Sequence, residues 1–212
     1  MDEIKIERVV VLDDYQSNSY LVWQEDAQSC LIIDCGGEFD KITKALKRLN
    51  LEPEAILLTH GHGDHIAGVN QSSLDIYIHS DDRDYLSKPE LNLSSFLGSP
   101  LTIEREPVIF NSDQELYFPK SDLRFKVIHT PGHTPGSCCF LIGDLLFSGD
   151  TLFLSGVGRT DLPLSSESAI RDSILNKLFK LDQSISVYPG HGDMTSIGYE
   201  RENSPFLSAD SL

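Results

Sequence analysis

Three of the chain's seven histidines fall within one short segment, residues 59–65, which reads THGHGDH. Histidines two positions apart point away from each other on a helix, so His60 and His62 can converge on one point only from a strand or a loop. The two intervening glycines favour the loop. Because the residues after this loop can begin a helix, Asp64 and His65 would lie at the helix entrance. The segment therefore predicts four potential metal ligands around one small volume.

Three further candidate ligands lie far along the chain, and each follows an apolar run that is typical of a strand. These residues are His133, Asp150 and His191. In open α/β sheets, ligands gather at the carboxyl ends of strands. A polar turn without a function would not account for this repeated placement. We therefore expect all seven candidates to meet in one site.

Short apolar runs along the chain favour strands over helices. They predict eleven strands, near residues 4–12, 18–24, 29–34, 54–58, 75–79, 107–110, 114–118, 123–129, 137–142, 144–148 and 185–188. Apolar residues at three- and four-residue steps predict helices over residues 39–49 and 169–179, the second with Ser165 or Ser166 as its N-cap. This pattern indicates a mixed α/β domain with more strand than helix, and a two-sheet core covered by helices would fit it.

The candidate ligands extend from residue 60 to residue 191, so one site would need most of the chain. We therefore expect a single domain over residues 1–212. Residues 87–106 show no clear periodicity. Because a loop of that length in a compact domain is usually functional or disordered, we expect a substrate-side role for it.

The charge balance limits the partners that this chain can have. Its 33 acidic and 17 basic residues leave a net charge of −16, which argues against nucleic acids and anionic membrane surfaces. No apolar run approaches the roughly 20 residues of a transmembrane helix, and the N-terminus does not resemble a secretory signal. The cysteines show no CxxC spacing and are typical of buried, reduced thiols: Cys30, Cys35, Cys138 and Cys139. We therefore expect a cytoplasmic protein without nucleic-acid or membrane partners.

Five histidines and two aspartates form a ligand set for zinc, iron or manganese, because calcium and magnesium prefer oxygen ligands. Seven ligands are too many for one tetrahedral site, whereas two metals that share a carboxylate would use them all. Such a pair, about 3.5–4 Å apart, can lower the pKa of bound water towards about 7. We expect two divalent metal ions, zinc first, with iron or manganese as alternatives.

The segment 60–65, together with His133, Asp150 and His191, resembles the signature of the metallo-β-lactamase superfamily, whose fold is an αββα sandwich. The resemblance covers nearly the whole chain, residues 31–191. Further stretches resemble its glyoxalase II-like (hydroxyacylglutathione hydrolase-like) branch: residues 129–137, 148–153, 158–163 and 188–192.

The resemblance divides the seven candidate ligands between two metals. It implies a first metal on His60, His62 and His133, a second on Asp64, His65 and His191, and Asp150 as the bridge. Catalytic roles fall to the carboxylates of Asp64 and Asp150, and Asp34 would lie beneath the metals and hold a ligand by hydrogen bonding. The implied reaction is thioester hydrolysis, in which metal-bound hydroxide attacks the acyl carbonyl. Aspartate at position 150 disfavours the β-lactamases that use a thiolate there.

Four polar residues near these motifs are predicted to have structural roles. His79 and His129 have no place in the ligand pattern, so we expect their rings to be satisfied by hydrogen bonds, those of His129 within its own loop. Arg159 and Asp161 are predicted to hold the loop after Asp150 rather than to take part in catalysis.

The substrate is left open by the end of the chain. Two-domain glyoxalase II enzymes continue into a helical domain that helps to bind glutathione, and only 21 residues follow His191, so we expect no such C-terminal domain here. Residues 198–207 resemble the ending of single-domain glyoxalase II-like proteins. A small-molecule thioester is the expected partner. One alternative is a persulfide dioxygenase with a single iron on His60, His133 and Asp150; another is a catalytically silent metal-binding or interaction protein.

Overall fold

The computed structural model describes residues 3–11 and 16–204. The strands are β1 (Ile4–Val11), β2 (Ser17–Gln24), β3 (Ser29–Ile33), β4 (Glu52–Leu57), β5 (Asp75–His79), β6 (Val108–Phe110), β7 (Glu115–Phe118), β8 (Leu123–His129), β9 (Cys138–Ile142), β10 (Leu145–Gly149), β11 (Ser186–Pro189) and β12 (Thr195–Ser196). The helices are α1 (Phe39–Leu49), α2 (Gly63–Ile66), α3 (Glu167–Asn176) and α4 (Ile197–Asn203). The predicted end of the first strand at residue 12 and the last part of the C-terminal motif, residues 205–207, lie outside the described residues.

The strands form two six-stranded sheets. The first has the order β1-β2-β3-β4-β5-β6, and the second has the order β12-β11-β10-β9-β8-β7. In the first sheet β3, β4, β5 and β6 run parallel to one another. In the second, β10 pairs with β11 in parallel, and β8 runs in the same direction because two antiparallel pairings separate it from β10. Each sheet therefore has several strands with their carboxyl ends on one edge.

Alternating side chains build a core of four layers. Successive side chains of a strand point to opposite faces of the sheet, so Leu31 and Ile33 of β3 pack between the sheets whereas Ile32 packs on the outer side. There Ile42 of α1 joins the same cluster as Ile32. Ile170 of α3 packs on the outer face of the second sheet. The order helix, sheet, sheet, helix confirms the predicted αββα sandwich.

All eleven predicted strands are present within the described residues, with ends that differ by two residues or less. The expected N-cap of α3 is Ser166, whose side-chain oxygen accepts a hydrogen bond from the amide of Ala169. This helix ends at Asn176, earlier than predicted, because Leu178–Lys180 form a separate 3₁₀ turn. Two short elements were not predicted from the sequence: β12, which has two residues, and α4, in which Ile197 is the one buried apolar side chain. In the described part of the chain, no helix is long and apolar enough to cross a membrane.

Candidate metal centre

All seven predicted ligands converge at one end of the two sheets, beyond the carboxyl ends of their strands. The loop after β4 and the short helix α2 contribute His60, His62, Asp64 and His65 from the first sheet. The loops after β8, β10 and β11 contribute His133, Asp150 and His191 from the second. Ligand atoms lie within 4.8 Å of one another in each of three groups: His60, His62 and His133; Asp64, His65 and His191; and His60, His65 and Asp150. The site therefore requires both sheets.

The carboxylate of Asp34 organises the first-sheet half of the centre. Its Oδ1 accepts the amide hydrogen of Thr59 at 2.7 Å, and its Oδ2 accepts the Thr59 hydroxyl at 2.8 Å. The same Oδ2 lies 2.9 Å from His65 Nδ1, so it holds that ring with Nε2 towards the centre. Because the hydroxyl of Thr59 already donates to Asp34, it accepts from His60 Nδ1 at 3.0 Å. Both rings therefore direct an Nε2 lone pair at the centre, and Asp34 lies where the resemblance implied.

A backbone carbonyl organises the second-sheet half. His133 Nδ1 lies 2.8 Å from the carbonyl oxygen of Arg159, which can only accept, so the lone pair of His133 is on Nε2. A Cβ atom at Gly158 would collide with the backbone of Asp150, so only glycine lets this loop lie so close. His133 Nε2 faces His62 Nδ1 at 2.8 Å. Two ring nitrogens at that distance need a proton or a cation between them.

The donor geometry fits metal ions. Among the described residues, the buried Nε2 atom of His60 has no hydrogen-bond partner, and such a group costs about 1–3 kcal/mol when it is left unsatisfied. The carboxylate of Asp150 lies between the two halves. Its Oδ1 is 3.3 Å from His65 Nε2, and its Oδ2 is 3.4 Å from His133 Nε2 and 3.5 Å from His191 Nε2. A cation in this space would satisfy lone pairs from both sheets.

The electrostatics of the centre call for positive charge. Burial opposes the anionic form of Asp150, but His65 and the other surrounding histidines hold the pKa of its carboxyl well below the ordinary value. Burial likewise opposes the cationic form of His191, but contacts with Asp150 and Asp64 raise the pKa of this imidazole to about 10. The carboxylates of Asp150 and Asp64 therefore remain ionised at neutral pH and attract a proton or a metal ion. Because metal ligation needs neutral imidazoles, metals and protons compete for His191.

The pKa values of His60 and His62 shift in the opposite direction to that of His191. Burial is the main cause that lowers the pKa of His60 well below its ordinary value and that of His62 to about 3, and the neighbouring histidines add to it. Both imidazoles are therefore neutral at pH 7. Neutral imidazole is the form that binds zinc and related metals, so these two side chains need no proton loss before they can serve as ligands.

Asp82, which joins the two halves of the site, was not predicted from the sequence. This carboxylate is fully buried. It accepts the amide of Gly61 at 2.9 Å, the hydroxyl of Thr134 at 2.7 Å and the amide of Gly136 at 2.7 Å. Burial raises its pKa to about 6 despite these bonds. The sequence offered one signal for Asp82, which is its position shortly after β5, at the sheet edge where the ligands gather. Within Ser80–Leu86, however, it is one of several acidic residues and resembles an ordinary surface carboxylate.

His79 and His129 lie outside the centre, as predicted, with their rings stacked at a centroid distance of 4.2 Å. His129 Nε2 donates to the carbonyl of Pro135 at 2.8 Å within its own loop, so its Nδ1 accepts from Ser112 Oγ at 2.9 Å. His79 Nδ1 accepts the amide of Asp81 at 3.3 Å, so its Nε2 donates to Ser112 Oγ at 3.3 Å. These two rings and Asp81 are close enough together to hold a metal, but all four ring nitrogens have hydrogen bonds, which supports the structural role.

We expect acid to destabilise the fold through His79. Burial and then His129 lower the pKa of this ring to about 4, whereas a histidine in an unfolded chain titrates near about 6.5. Between these values the unfolded chain binds a proton that the folded chain does not. Protonation of His79 in the unfolded chain should therefore lower the free energy of unfolding by about 1–2 kcal/mol when the pH falls from 7 to 5. Urea unfolding at both pH values should show a smaller loss in His79→Gln; an equal loss in the two proteins would contradict this.

A pocket of about 630 Å³ opens above the centre. Five of the seven converging side chains line its floor: His62, Asp64, His133, Asp150 and His191. Segment 87–106 contributes Asn92, Leu93 and Phe96 to the wall, which places part of the predicted substrate-side loop at the site. Arg159 and Asp161 also lie on the wall, joined by two hydrogen bonds of 2.9 Å.

Comparisons with known proteins agree with this geometry. The family model described as the metallo-beta-lactamase superfamily matches residues 12–191, a range that includes all seven converging side chains. Hydroxyacylglutathione hydrolase GloC of Haemophilus influenzae is 33% identical over 219 residues, which cover 96% of this chain and 98% of the relative.

Two crystal structures share the fold over nearly their whole length. That of the B3 metallo-beta-lactamase BLEG-1 has a TM-score of 0.89 at 36% identity and covers 97% of this chain and 100% of that chain. TTHA1623, solved in a di-iron-bound form, has a TM-score of 0.83 at 33% identity and covers 95% of this chain and 100% of that chain. With its family match, its αββα sandwich and its converging histidines and aspartates, the chain belongs to the metallo-beta-lactamase superfamily.

Proposed function

We propose that this protein is a metal-dependent hydrolase that cleaves thioesters with a two-metal centre. The observation that carries the proposal is the position of Asp150, whose carboxylate lies within 3.5 Å of histidine nitrogens from both halves of the site, at the floor of an open pocket. The relative named hydroxyacylglutathione hydrolase supports a thioester as the substrate class. In such a reaction water adds across the C–S bond and yields a carboxylic acid and a thiol.

The donor set supports two divalent metal ions. His60, His62 and His133 would hold one, Asp64, His65 and His191 the other, with Asp150 between them. Zinc suits mixed imidazole and carboxylate ligands. Iron is an alternative to zinc, because TTHA1623 was solved in a di-iron-bound form. Manganese is another, because carboxylate ligands also bind it.

Metal ions bound here would supply a Lewis acid for the acyl carbonyl and a water whose pKa is lowered towards about 7. The chain supplies position and charge. Asp64 and Asp150 both line the pocket, and in this proposal their carboxylates would orient the nucleophile by hydrogen bonding. None of the described residues that line the pocket is a serine or cysteine, which supports attack by water over attack by a side chain. Thiolate is a good leaving group, so the reaction needs no dedicated general acid.

The proposal includes a cytoplasmic location and a small-molecule substrate. All four cysteines are buried and free, and burial raises the pKa of the Cys35 thiol to about 12. Such thiols are unreactive and are typical of a reducing compartment, which supports the cytoplasm as the site of action. The net charge of −16 supports a small-molecule substrate over a nucleic acid or an anionic membrane surface.

Elemental analysis of natively purified protein, combined with substrate assays, tests the proposal. We expect two metal ions per chain and hydrolysis of S-lactoylglutathione or of an uncharged thioester. The same preparation is assayed with a β-lactam and with glutathione persulfide under oxygen. One iron per chain with oxygen consumption on the persulfide would identify a dioxygenase instead. Turnover of the β-lactam alone would identify a lactamase, and no turnover by metal-loaded protein would indicate a silent binding protein.

A further inference from the structure

One wall of the pocket indicates which acyl groups the site prefers. Resting on the proposed thioesterase function, we propose that Phe96 is a specificity-determining residue that contacts an apolar acyl chain of the thioester, and that Asn92 positions it. The preference concerns the acyl part of the substrate, so glutathione thioesters are included.

Phe96 is an exposed apolar side chain on the pocket wall, where Leu93 of the same segment lies with it. Phe96 is 74% exposed, so most of its surface stays in water in the folded chain. A ligand that covers the ring removes apolar surface from water, which is favourable roughly in proportion to the area covered. Phe96 is therefore suited to contact a ligand rather than to stabilise the fold.

The side chain of Asn92 closes the loop of residues 92–101 that carries Phe96. It is fully buried. Its Nδ2 donates to the backbone carbonyls of Tyr85 at 2.8 Å and Leu101 at 3.0 Å, and its Oδ1 accepts the amide of Ser94 at 3.0 Å. The hydroxyl of Ser94 in turn accepts the amide of Leu101 at 2.8 Å. Asn92 and Ser94 therefore join the two ends of the loop.

The turn after Asn92 holds Leu93 in a strained backbone conformation. Leu93 has a φ of 67° and a ψ of 0°, a left-handed conformation that bulky side chains rarely adopt. Such strain persists only where the surroundings hold it, and it is frequent at ligand sites. The hydrogen bond from the Ser94 amide to Asn92 spans Leu93 and holds it there. The amide of Phe96 donates to the carbonyl of Leu93 at 3.1 Å, so the same turn sets the position of Phe96.

Asn92 also ties this loop to the proposed metal ligands. Its backbone carbonyl accepts the amide of Gly63 at 2.7 Å, and Gly63 lies between His62 and Asp64 in the sequence. A Cβ atom at Gly63 would lie 3.1 Å from that carbonyl oxygen, so the two loops pack closely. The position of Phe96 relative to the floor of the pocket is therefore set through Asn92.

A different loop carries the charged part of the wall. Arg159 and Asp161 form their ion pair there, and the carbonyl of Arg159 contacts His133. A glutathione thioester is divided in the same way, because its peptide is charged and an alkyl acyl group is not. Metal ions on the floor would attract the carbonyl oxygen in either orientation, so the walls decide which part of the substrate lies along which loop. The acyl chain lies along Leu93 and Phe96, and the peptide extends towards the charged loop and solvent.

Two glutathione thioesters that differ only in the acyl group measure the preference: S-acetylglutathione and S-hexanoylglutathione. Full burial of one methylene is worth about fourfold, and an open wall covers only part of each, so we expect kcat/KM of wild type to favour the hexanoyl compound about tenfold. The gain should come mainly through KM. Phe96→Ser should reduce the ratio by about three- to fivefold. Tyr199→Ser is the matched control, because it removes an exposed aromatic side chain that does not line the pocket, and it should leave the ratio unchanged.

Asn92→Ala tests the positioning role. It removes the hydrogen bonds that close the loop, so the ratio should fall as it does in Phe96→Ser, and the double variant should lose little more. Because Asn92 is buried, Ser94→Ala serves as a milder second variant. It removes the acceptor for the Leu101 amide and should give an intermediate ratio. A residue that only stabilises the fold would lower kcat/KM for both thioesters by the same factor, and that result in the variants that fold would contradict the positioning role.

Binding of stable thioethers separates this inference from the proposed reaction. Calorimetry with metal-loaded protein compares S-hexylglutathione with S-methylglutathione. We expect the hexyl compound to bind about tenfold more tightly, and Phe96→Ser to diminish the difference. If thioesters are hydrolysed without a preference for the hexanoyl compound, or if Phe96→Ser keeps the preference, the inference is wrong and the proposed function stands. If the thioethers bind with the expected preference but neither thioester is hydrolysed, the proposed function fails and Phe96 remains a contact for an apolar chain.

Discussion

Asp150→Ala should lower kcat for thioester hydrolysis by at least about 10³-fold, because in the proposed mechanism this carboxylate would orient the nucleophile and would be shared by two metals. The carboxylate lies 3.3–3.5 Å from ring nitrogens of His65, His133 and His191. Without it, both proposed metal sites would lose a donor and the centre would lose a negative charge. Bound metal should fall below two ions per chain. Steady-state kinetics and elemental analysis on the same preparation measure both effects.

Asp144→Ala is the matched control, because Asp144 is exposed and precedes the opposite end of the same strand, β10. It should retain full activity and full metal content. Asp150→Asn keeps the volume of the side chain but lacks its charge, and we expect it to behave like the alanine variant. Normal hydrolysis by Asp150→Ala would refute the proposed two-metal mechanism.

Asp82→Ala should lower the free energy of unfolding by about 3–5 kcal/mol, because it leaves buried donors without an acceptor. The three donors are the amides of Gly61 and Gly136 and the hydroxyl of Thr134. Gly61 and Thr134 adjoin the proposed ligands of the first metal on two separate loops. Metal affinity should therefore also fall, by about 10- to 100-fold. Urea unfolding and competition with a chelator measure the two losses.

The control for this variant is Asp84→Ala in the same 3₁₀ segment, where the exposed carboxylate contacts Lys88. Its unfolding free energy and metal affinity should stay close to those of wild type. Asp82→Asn can accept some of the three hydrogen bonds and should give intermediate values. If Asp82→Ala unfolds more readily but binds metal as tightly as wild type, the carboxylate supports the fold without positioning the ligands.

The strands and the ligand positions could be predicted because their signals are local. A strand such as β5 has its apolar run and its ends within one short stretch of sequence, and its predicted bounds agree with the structure. The motif from His60 to His65 also contains its own geometry, since two-residue spacing with glycines excludes a helix for the first pair. The hydrogen bond from His129 to Pro135 was predictable for the same reason, because the two residues share one loop.

Contacts between distant parts of the chain were not predictable in this way. Asp82 accepts from Gly61 on one side and from Gly136 on the other, and neither partner is near it in sequence. The ring of His79 reaches Ser112 only because β5 and β6 are neighbours in the first sheet. Arg159 and Asp161 were expected to hold a loop, and only the folded chain places their ion pair on the pocket wall.

The sequence by itself determined a mixed α/β domain, the strand order along the chain and the seven side chains available to a metal centre, because alternating apolar residues and strand-end loops are encoded within short segments. The αββα class followed from the resemblance of its motifs to the metallo-β-lactamase superfamily. Only the tertiary structure decided which imidazole nitrogens face the centre, which buried carboxylate joins its two halves and what charge the pocket presents. The physical reason is that these properties depend on burial and on hydrogen bonds between strands that lie far apart in sequence and meet only when both sheets have formed.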